Sequence, residues 1–277
     1  MCFSALTRKN IRDIEVRLGA EKASEVWEQL FGKNSEFPKD YKVAENGERF
    51  FCGDKYYVPV YYRKGEKLIC EPMRYGKYYG PKLRTITRGK RNEKRCNYNT
   101  RLDNLNSPAW ADAYQKGHGF IVLDGFFENV LVEDLLRSGG VTLAQVKAHF
   151  AALSLKRKER ILSQGKAYKP TKTELKDPVT RSIVIEFNPQ SESGLFVPVI
   201  FNHDEWGQNP FKGFSLLTTD PSPEILAAGH DRCPIILKEE ALSPWLKGLE
   251  RTHEEILEVL SAQVTHFFTH KLEEFVA

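Results

Sequence analysis

Aromatic and β-branched residues crowd the segment Tyr56-Tyr57-Val58-Pro59-Val60-Tyr61-Tyr62, and Leu68-Ile69-Cys70 follows after a short polar gap. The surrounding region, from Arg49 to Tyr79, is rich in Tyr, Phe and Val and is interrupted by Gly and Pro. Residues of these types favour strands, and the interruptions favour turns. The region therefore predicts short strands of an antiparallel sheet.

Similar strand-forming segments recur over the whole chain. They are Gly119 to Leu123, Arg181 to Phe187, Phe196 to Phe201, Phe214 to Thr218 and Pro234 to Leu237. The order of elements lacks the regular alternation of strands and helices that builds parallel sheets, and no internal repeat is visible. We expect a single α+β domain over residues 1–277.

Helical periodicity appears first near the N-terminus. Apolar residues from Asn10 to about Phe31 recur at helical spacing, with Asn10 as an N-cap and Gly32 as a stop. This pattern predicts one or two amphipathic helices.

Two later regions also predict helices. Between Thr142 and Gly165 we expect two short helices, with Thr142 and Ser154 as their N-caps. The last segment, Ser243 to Ala277, opens with Ser-Pro and keeps a period near 3.6, which predicts a helical C-terminal element.

Composition narrows the function classes. The chain has 277 residues, of which 41% are hydrophobic and 28% charged, with a net charge of +4. No apolar run is long enough for a membrane helix, and the N-terminus lacks the apolar region of a signal peptide, so we expect a cytoplasmic protein without a membrane partner. The five cysteines form no CxxC pair, which argues against a disulfide framework or a zinc ribbon.

Cys2 is the residue with the most distinctive chemistry. If Met1 is removed, the chain begins with an α-amine and a thiol on adjacent carbons, and both are partly nucleophilic near neutral pH. Such a pair can act as the nucleophile and base of an amidase, or it can condense with an aldehyde and close to a thiazolidine. The alternative interpretation is a terminus without a role.

Two further residues are candidates for proton transfer. His230 lies on a predicted loop beside Asp231 and Arg232, either of which could orient it, although such loop pairs are commonly solvated. Glu128 follows the predicted strand Gly119 to Leu123 among aromatic residues, where a carboxyl group suits general acid catalysis. Its alternative is an edge-strand carboxylate that faces water.

A basic stretch precedes the segment Asn97-Tyr98-Asn99-Thr100-Arg101. Its cations would suit a phosphate backbone, and nearby tyrosines offer faces for stacking bases, whereas a solvated loop is the alternative. The cations are Arg84, Arg88, Lys90, Arg91, Lys94 and Arg95, and the tyrosines are Tyr75, Tyr78 and Tyr79.

Motifs for cofactors are lacking. His266 and His270 are four residues apart on the predicted C-terminal helix, but no neighbouring ligand completes a metal site. There is no Gly-rich phosphate-binding loop. We therefore expect neither a metal nor a nucleotide cofactor.

Four short motifs in this order resemble those of the SOS response-associated peptidase (SRAP) family. That family typically shows Met-Cys-Gly-Arg, Asn-Ala-Arg, Gly-Phe-Tyr-Glu-Trp and His-Asp-Arg-Met-Pro. The counterparts here are Met1-Cys2, Asn99-Thr100-Arg101, Gly125-Phe126-Phe127-Glu128 and His230-Asp231-Arg232-Cys233-Pro234. The chain departs from the pattern at Phe3 and Ser4, which replace Gly-Arg, and at Asn129, which replaces Trp.

The resemblance implies a fold and an activity. The fold would be a mainly antiparallel sheet or open barrel with flanking helices, and a helical insertion at about 131–172. The activity would be a covalent thiazolidine crosslink between Cys2 and an abasic site in single-stranded DNA, with peptidase-like autoprocessing or crosslink reversal as further activities. No nucleotide cofactor and a monomeric state are expected, and in a bacterium the protein would lie near the nucleoid.

The resemblance also assigns roles to residues. Cys2 would be the nucleophile, Asn99 would position its amine, Glu128 would assist ring opening and proton transfer, and His230 would act on the imine or ring oxygen. Arg101 would contact a phosphate. Further DNA contacts would come from Tyr75 by stacking and from Arg84 or Arg88, in place of the missing cation after Cys2.

Two other functions remain open. One is a thiol amidase or peptidase that uses Cys2 and His230 on substrates other than DNA, and it predicts amide turnover without DNA. The other is a noncovalent module for single-stranded DNA, which predicts salt-sensitive binding that does not depend on Cys2.

Overall fold

The computed structural model describes residues 4–32, 41–53, 55–78, 96–139, 141–190, 194–203, 212–264 and 268–272. Cys2, Arg84 and Arg88 lie outside the described residues, so their predicted roles are not tested. None of the helices in these ranges is long and apolar enough to span a membrane.

Strands account for most of the regular structure. In chain order they are β1 (Ser4–Thr7), β2 (Glu21–Lys22), β3 (Lys42–Val43), β4 (Arg49–Phe51), β5 (Tyr56–Lys64), β6 (Lys67–Tyr75), β7 (Lys77–Tyr78), β8 (Cys96–Asn97), β9 (Asn99–Arg101), β10 (His118–Leu131), β11 (Ser182–Pro189), β12 (Leu195–His203), β13 (Lys212–Thr219), β14 (Cys233–Pro234) and β15 (Phe268–Leu272).

Helices flank this sheet. They are α1 (Ile11–Leu18), α2 (Ser24–Phe31), α3 (Ala111–Lys116), α4 (Val132–Arg137), α5 (Leu143–Ser163), α6 (Pro223–Ala227), α7 (Leu242–Leu246) and α8 (His253–Ser261). Short 3-10 turns lie at Leu102–Asn104, Pro178–Thr180, Glu239–Ala241 and Gly248–Glu250.

Thirteen of the described strands form one curled sheet. Its main path runs β15-β11-β10-β12-β13-β6-β5-β3, and most neighbours are antiparallel. Strand β10 also pairs with β5, which brings distant parts of this path together through two residue pairs, Gly119 with Tyr62 and Phe120 with Tyr61. The predicted α+β class with a mainly antiparallel central sheet is confirmed, and the sheet is not closed into a true barrel.

The sheet separates two apolar cores, because successive side chains of a strand point to opposite faces. On β10, Ile121 and Leu123 enter the core that also holds Phe126 and Phe214. Phe120 and Val122 point the other way, into a core that the helices α1, α3, α7 and α8 cover. Trp245 of α7 anchors that second core, and its indole N–H donates to the carbonyl oxygen of Gly119 at 2.6 Å.

The predicted N-terminal helices are confirmed as two elements, α1 and α2, with Asn10 and Gly32 at the flanking positions. Each predicted strand also exists, but most are longer than the sequence suggested. Strand β10 extends through Leu131, eight residues beyond the predicted end at Leu123. The segment Pro234 to Leu237 is the exception, since β14 ends at Pro234 and Leu237 forms only isolated bridges.

The prediction of two helices between Thr142 and Gly165 is wrong. One 21-residue helix, α5, runs from Leu143 to Ser163. Thr142 is its N-cap and forms a capping box with Gln145, whereas Ser154 lies inside the helix. The neighbours of Ser154 are good helix formers such as Ala and Leu, which carry the helix past it. The prediction of an insertion at about 131–172 stays a prediction.

The C-terminal segment is only partly helical. Helices α7 and α8 confirm the predicted periodicity up to Ser261, but Ser243 lies within α7 and does not cap it. Phe268 and His270 belong to strand β15, which pairs with β11. The predicted helical pair of His266 and His270 is therefore wrong, and His266 lies outside the described residues.

Candidate functional site

An irregularity in β10 turns Glu128 into the core. Before it, Ile121 and Leu123 point into the first core, and after it Phe126 and Val130 do so. The inward-facing positions change from odd to even numbers where the pairing with β1 skips a residue. Leu6 of β1 pairs with Gly125, but the next residue, Thr7, pairs with Leu123, so Asp124 has no partner residue on β1. Such a β-bulge adds one residue and reverses the faces of all later side chains.

Two neighbouring residues hold this bulge. Asp124 accepts hydrogen bonds from the Arg8 guanidinium at 2.7 Å and from the backbone N–H of Lys9 at 2.8 Å, which fixes the end of β1. Gly125 lies against β11, where an added Cβ would come within 2.8 Å of the Phe187 carbonyl oxygen. The absence of a side chain at Gly125 therefore allows the close approach of the two strands.

Glu128 consequently lies inside the sheet and not at a strand end. Its side chain is 0% exposed, so both the predicted position after a strand and the alternative of a water-facing carboxylate are wrong. Its neighbour Phe127 pairs with Ser4 on one side of β10. The buried carboxylate is thus next to the strand that continues from the N-terminus.

His230 supplies the partner of this carboxylate. The imidazole Nε2 lies 3.1 Å from Glu128 Oε2, within ion-pair distance. The loop after α6 carries His230, as predicted, and its Nδ1 lies 2.9 Å from the carbonyl oxygen of Arg232. The backbone of Arg232 therefore orients the ring. A buried carboxylate and imidazole at this distance can exchange a proton.

Asn99 is held by a tyrosine. It opens β9, whose parallel pairing with β13 sets it beside Leu216. The hydroxyl of Tyr75 donates to Asn99 Oδ1 at 3.2 Å, which fixes the orientation of the amide. Tyr75 itself is 0% exposed and stacks on Phe214, so the prediction that its ring stacks on a base disagrees with its burial. Its hydroxyl contacts the amide of Asn99 from within the core.

Arg101 borders a groove that Arg232, from the loop of His230, also lines. It is exposed and pairs with Asp103, while Arg232 pairs with Asp220 at 2.8 Å. Both pairs border a cavity of about 520 Å³ together with Thr218. Thr218 pairs with Arg101 on one side and with Pro234 of β14 on the other. The topology thus brings Arg101 to the same end of β13 as the loop of His230.

The thiols whose side chains are described are poor nucleophiles. Burial, with a smaller contribution from the nearby Glu128 carboxylate, raises the pKa of Cys233 to about 11. Burial also raises the pKa values of Cys52 and Cys70. Because the thiolate is the reactive form, these groups are largely unreactive at neutral pH. Within the described ranges, no group of three or more His, Cys, Asp and Glu residues could hold a metal ion.

Arg49 is a basic residue at this site that the sequence motifs missed. It lies on β4, which pairs with β1, and its guanidinium covers the ring of Phe127. No spacing rule connects it to Glu128 in the sequence. The only hint in the sequence is its place directly before the aromatic pair Phe50 and Phe51, at the start of the region that predicts short strands.

Several solved structures share this fold. A crystal structure of a protein from Bacteroides thetaiotaomicron has a TM-score of 0.54 at 12% identity, covering 99% of this chain and 92% of that chain. A protein from Bordetella bronchiseptica has a TM-score of 0.53 at 12% identity, covering 99% and 100%. A phage-related protein from the same organism has a TM-score of 0.55 at 12% identity, covering 99% and 95%. At such low identity these likenesses show the fold alone.

Sequence comparison gives the family. No curated protein sequence matches the chain significantly. The family model described as SOS response associated peptidase (SRAP) matches residues 1–276, nearly the whole chain. The chain therefore belongs to the SOS response-associated peptidase family.

Proposed function

We propose that this protein, once Met1 is removed, joins its N-terminal cysteine to the aldehyde of an abasic site in single-stranded DNA. The observation that carries the proposal is the buried contact between Glu128 Oε2 and His230 Nε2 at 3.1 Å, next to the strand that continues from the N-terminus. Family membership supports a role in the response to DNA damage. The covalent reaction and its substrate, an abasic site in single-stranded DNA, are our proposal.

Covalent connectivity supports Cys2 as the nucleophile. Ser4 pairs with Phe127, the residue before Glu128. Because an extended chain advances at most about 3.3–3.6 Å per residue, two residues of chain span at most about 7 Å. A cysteine two residues before Ser4 would therefore be tethered near the strand that carries Glu128. The raised pKa values of Cys52, Cys70 and Cys233 disfavour these thiols as alternatives.

Ring opening of the sugar is the first step. Glu128 accepts the proton of the hydroxyl on C1′, the bond between C1′ and the ring oxygen breaks, and the ring oxygen gains a proton from His230. The products are an aldehyde at C1′ and a free hydroxyl at C4′. A carboxylate and an imidazole 3.1 Å apart suit these opposite transfers, since one can accept a proton while the other donates one.

Closure of the thiazolidine follows without a co-reactant. The α-amine of Cys2 adds to C1′, and a proton moves from nitrogen to oxygen to give a carbinolamine. Its hydroxyl leaves as water with a proton from Glu128, and the remaining nitrogen proton passes to His230, which restores the pair and leaves a neutral imine. The thiol sulfur then adds to C1′, and the thiol proton passes to the nitrogen. One aldehyde and one aminothiol thus give one thiazolidine and one water. Asn99, oriented by Tyr75, would position the amine.

The groove beside the site would receive the DNA strand. Arg101 and Arg232 place two guanidinium groups along the cavity of about 520 Å³ that borders Thr218. Guanidinium groups bind phosphate by paired hydrogen bonds. Their carboxylate partners Asp103 and Asp220 would have to exchange these bonds for contacts with DNA.

Denaturing gel electrophoresis tests the proposal. The mature protein is incubated with single-stranded DNA that carries one abasic site, beside intact DNA, and mass spectrometry verifies that Met1 is absent. We expect a shifted band that requires both the lesion and Cys2. Cys2→Ala should abolish the band, whereas the matched variant Cys52→Ala should retain it.

The same experiment separates the alternatives. A mature protein that gives no band contradicts the proposal. Turnover of amide substrates that depends on Cys2 and needs no DNA would instead establish a thiol amidase. Salt-sensitive DNA binding that is unchanged in Cys2→Ala, without a covalent band, would establish a noncovalent module.

A further inference from the structure

Arg49 lies at the entry of the N-terminal strand into the site. It belongs to β4, where it pairs with Leu6, while Phe51 of the same strand pairs with Ser4. Its Nε donates a hydrogen bond to the hydroxyl of Ser4 at 2.9 Å. The side chain therefore reaches along β1 toward the N-terminus, to a residue only two positions after Cys2.

Two aromatic rings hold the guanidinium in place. Its central carbon lies 3.7 Å from the ring centroid of Phe127 and 4.7 Å from that of Phe51. Phe127 is 3% exposed and directly precedes Glu128, whereas Arg49 is half-buried. A guanidinium keeps its charge at all physiological pH values, and the two ring contacts restrict its motion.

This inference rests on the proposed crosslink to DNA. We propose that Arg49 binds a backbone phosphate of the DNA next to the sugar that reacts with Cys2. A sugar that reaches the N-terminal amine carries a phosphodiester on each side. Arg49 places a fixed positive charge beside both the N-terminal strand and the residue that precedes Glu128. Arg101 approaches from the end of β13 and β9, so the two arginines would hold the backbone through different elements.

The contact would also position the sugar. A planar guanidinium binds phosphate oxygens in a defined direction, because two of its N–H groups can donate in parallel. Since the rings of Phe127 and Phe51 restrict its motion, the bound phosphate would be fixed relative to Glu128. Arg49 would thus act on the reaction through the placement of the substrate and not through proton transfer.

The salt dependence of DNA binding tests this contact. Affinity for single-stranded DNA is measured in a Cys2→Ala background, so that no covalent product forms, over a range from low to above-physiological salt. Each lost phosphate contact lowers the slope of log affinity against log salt by about 0.7. We expect Arg49→Gln to lower the slope by about this amount and to weaken binding roughly tenfold at low salt. Arg49→Lys should restore the slope.

A matched variant and a second substrate separate this role from a structural one. Arg17→Gln removes an exposed arginine on α1 that pairs with Glu239, and it should leave the slope unchanged. Free deoxyribose has no phosphate, so the protein with Cys2 intact should react with it at the same rate whether or not it carries Arg49→Gln. An equal loss of rate with deoxyribose and with DNA, at an unchanged slope, would show that Arg49 only supports the N-terminal strand.

The result is separable from the proposed crosslink. If the protein binds DNA but forms no covalent product, the crosslink proposal fails while the slope still reports whether Arg49 contacts phosphate. If the crosslink forms and the slope of Arg49→Gln equals that of Arg17→Gln, the proposed function stands and the Arg49 contact is refuted.

Discussion

Glu128 Oε2 and His230 Nε2 lie 3.1 Å apart, and both side chains are buried. The two residues come from distant parts of the chain, one from the second half of β10 and the other from the loop after α6. Neither residue can take its place through local structure alone. The bulge at Asp124 and Gly125 turns Glu128 inward, and the backbone of Arg232 orients His230.

Removal of either member of this pair should slow the crosslink strongly. We expect Glu128→Gln and His230→Asn each to lower the single-turnover rate about 10²-fold to 10⁴-fold, the range for a lost general acid or base. The double variant should be little slower than the slower single variant, because the two groups act as one unit. Time courses on denaturing gels at saturating DNA measure these rates.

Glu186→Gln is the matched control for Glu128→Gln. Glu186 lies on β11 opposite Phe127 and pairs with Lys271 at 3.5 Å, so it is a nearby carboxylate outside the pair. Its variant should react at the rate of the unaltered protein. Rates of Glu128→Gln that match those of Glu186→Gln would refute the role of Glu128.

The bulge makes a separate prediction at Gly125. In Gly125→Ala, the new methyl group would meet the Phe187 carbonyl oxygen at 2.8 Å, so the strands must move apart. We expect a loss of about 1–3 kcal/mol in the free energy of unfolding, as for other overpacked positions. The crosslinking rate should fall as well, because the displaced strand carries Glu128. Urea denaturation and single-turnover kinetics measure the two effects.

Gly119→Ala provides a comparison on the same strand. Its added Cβ would lie 2.8 Å from the Tyr61 carbonyl oxygen, a similar clash before the bulge. We expect a similar loss in the free energy of unfolding. The crosslinking rate, measured where the variant stays folded, should change much less. Equal effects of the two variants on the rate would show that the bulge has no special relation to the site.

The hydroxyl of Tyr75 should matter through Asn99. Tyr75→Phe keeps the buried ring but removes the 3.2 Å hydrogen bond to Asn99 Oδ1. The loss of one such bond, worth about 1 kcal/mol, predicts a rate roughly fivefold lower. Tyr114→Phe removes a hydroxyl that contacts His253 Nδ1 at 2.8 Å and serves as the control. If both variants crosslink at the unaltered rate, Tyr75 has no positioning role.

Much of the fold could be predicted because strand and helix patterns are local. Period and turn residues located β5, β6, β12 and β13, as well as Thr142, the N-cap of α5. The C-terminal error has a clear cause, since Leu260, Val264 and Phe268 are spaced by four residues. That spacing fits one face of a helix and equally one face of a strand. Phe268 belongs to a strand because it pairs with β11, a segment distant in the sequence that local spacing does not reveal.

The site could be predicted only as a set of residues. The motifs named Glu128 and His230, but their contact depends on a bulge that adds a single residue to β10. A bulge of this kind leaves no periodic signal in the sequence. Tyr75 was misjudged for a related reason, because an aromatic residue beside a basic stretch can equally belong to the core, where Phe50, Tyr98 and Phe214 surround it.

His118 predicts a pH-dependent stability that is unrelated to the reaction. The imidazole is 3% exposed and stacks on Trp245 at 4.1 Å between ring centroids. Burial lowers its pKa, although the carbonyl oxygens of Trp245 and Tyr114 oppose this effect. The unfolded chain therefore binds a proton at a pH where the folded protein does not, so the folded state is penalised as the pH falls below about 6.5.

Urea denaturation on either side of this pH, at about 7.5 and about 5.5, measures the effect. The unaltered protein should lose more free energy of unfolding between these pH values than His118→Gln, by up to about 1.4 kcal/mol for each unit of pKa shift within the window. His149→Gln, on the half-buried side of α5, should keep the pH dependence of the unaltered protein. A pH dependence that persists in His118→Gln would place its origin in other groups, because Gln at this position does not titrate.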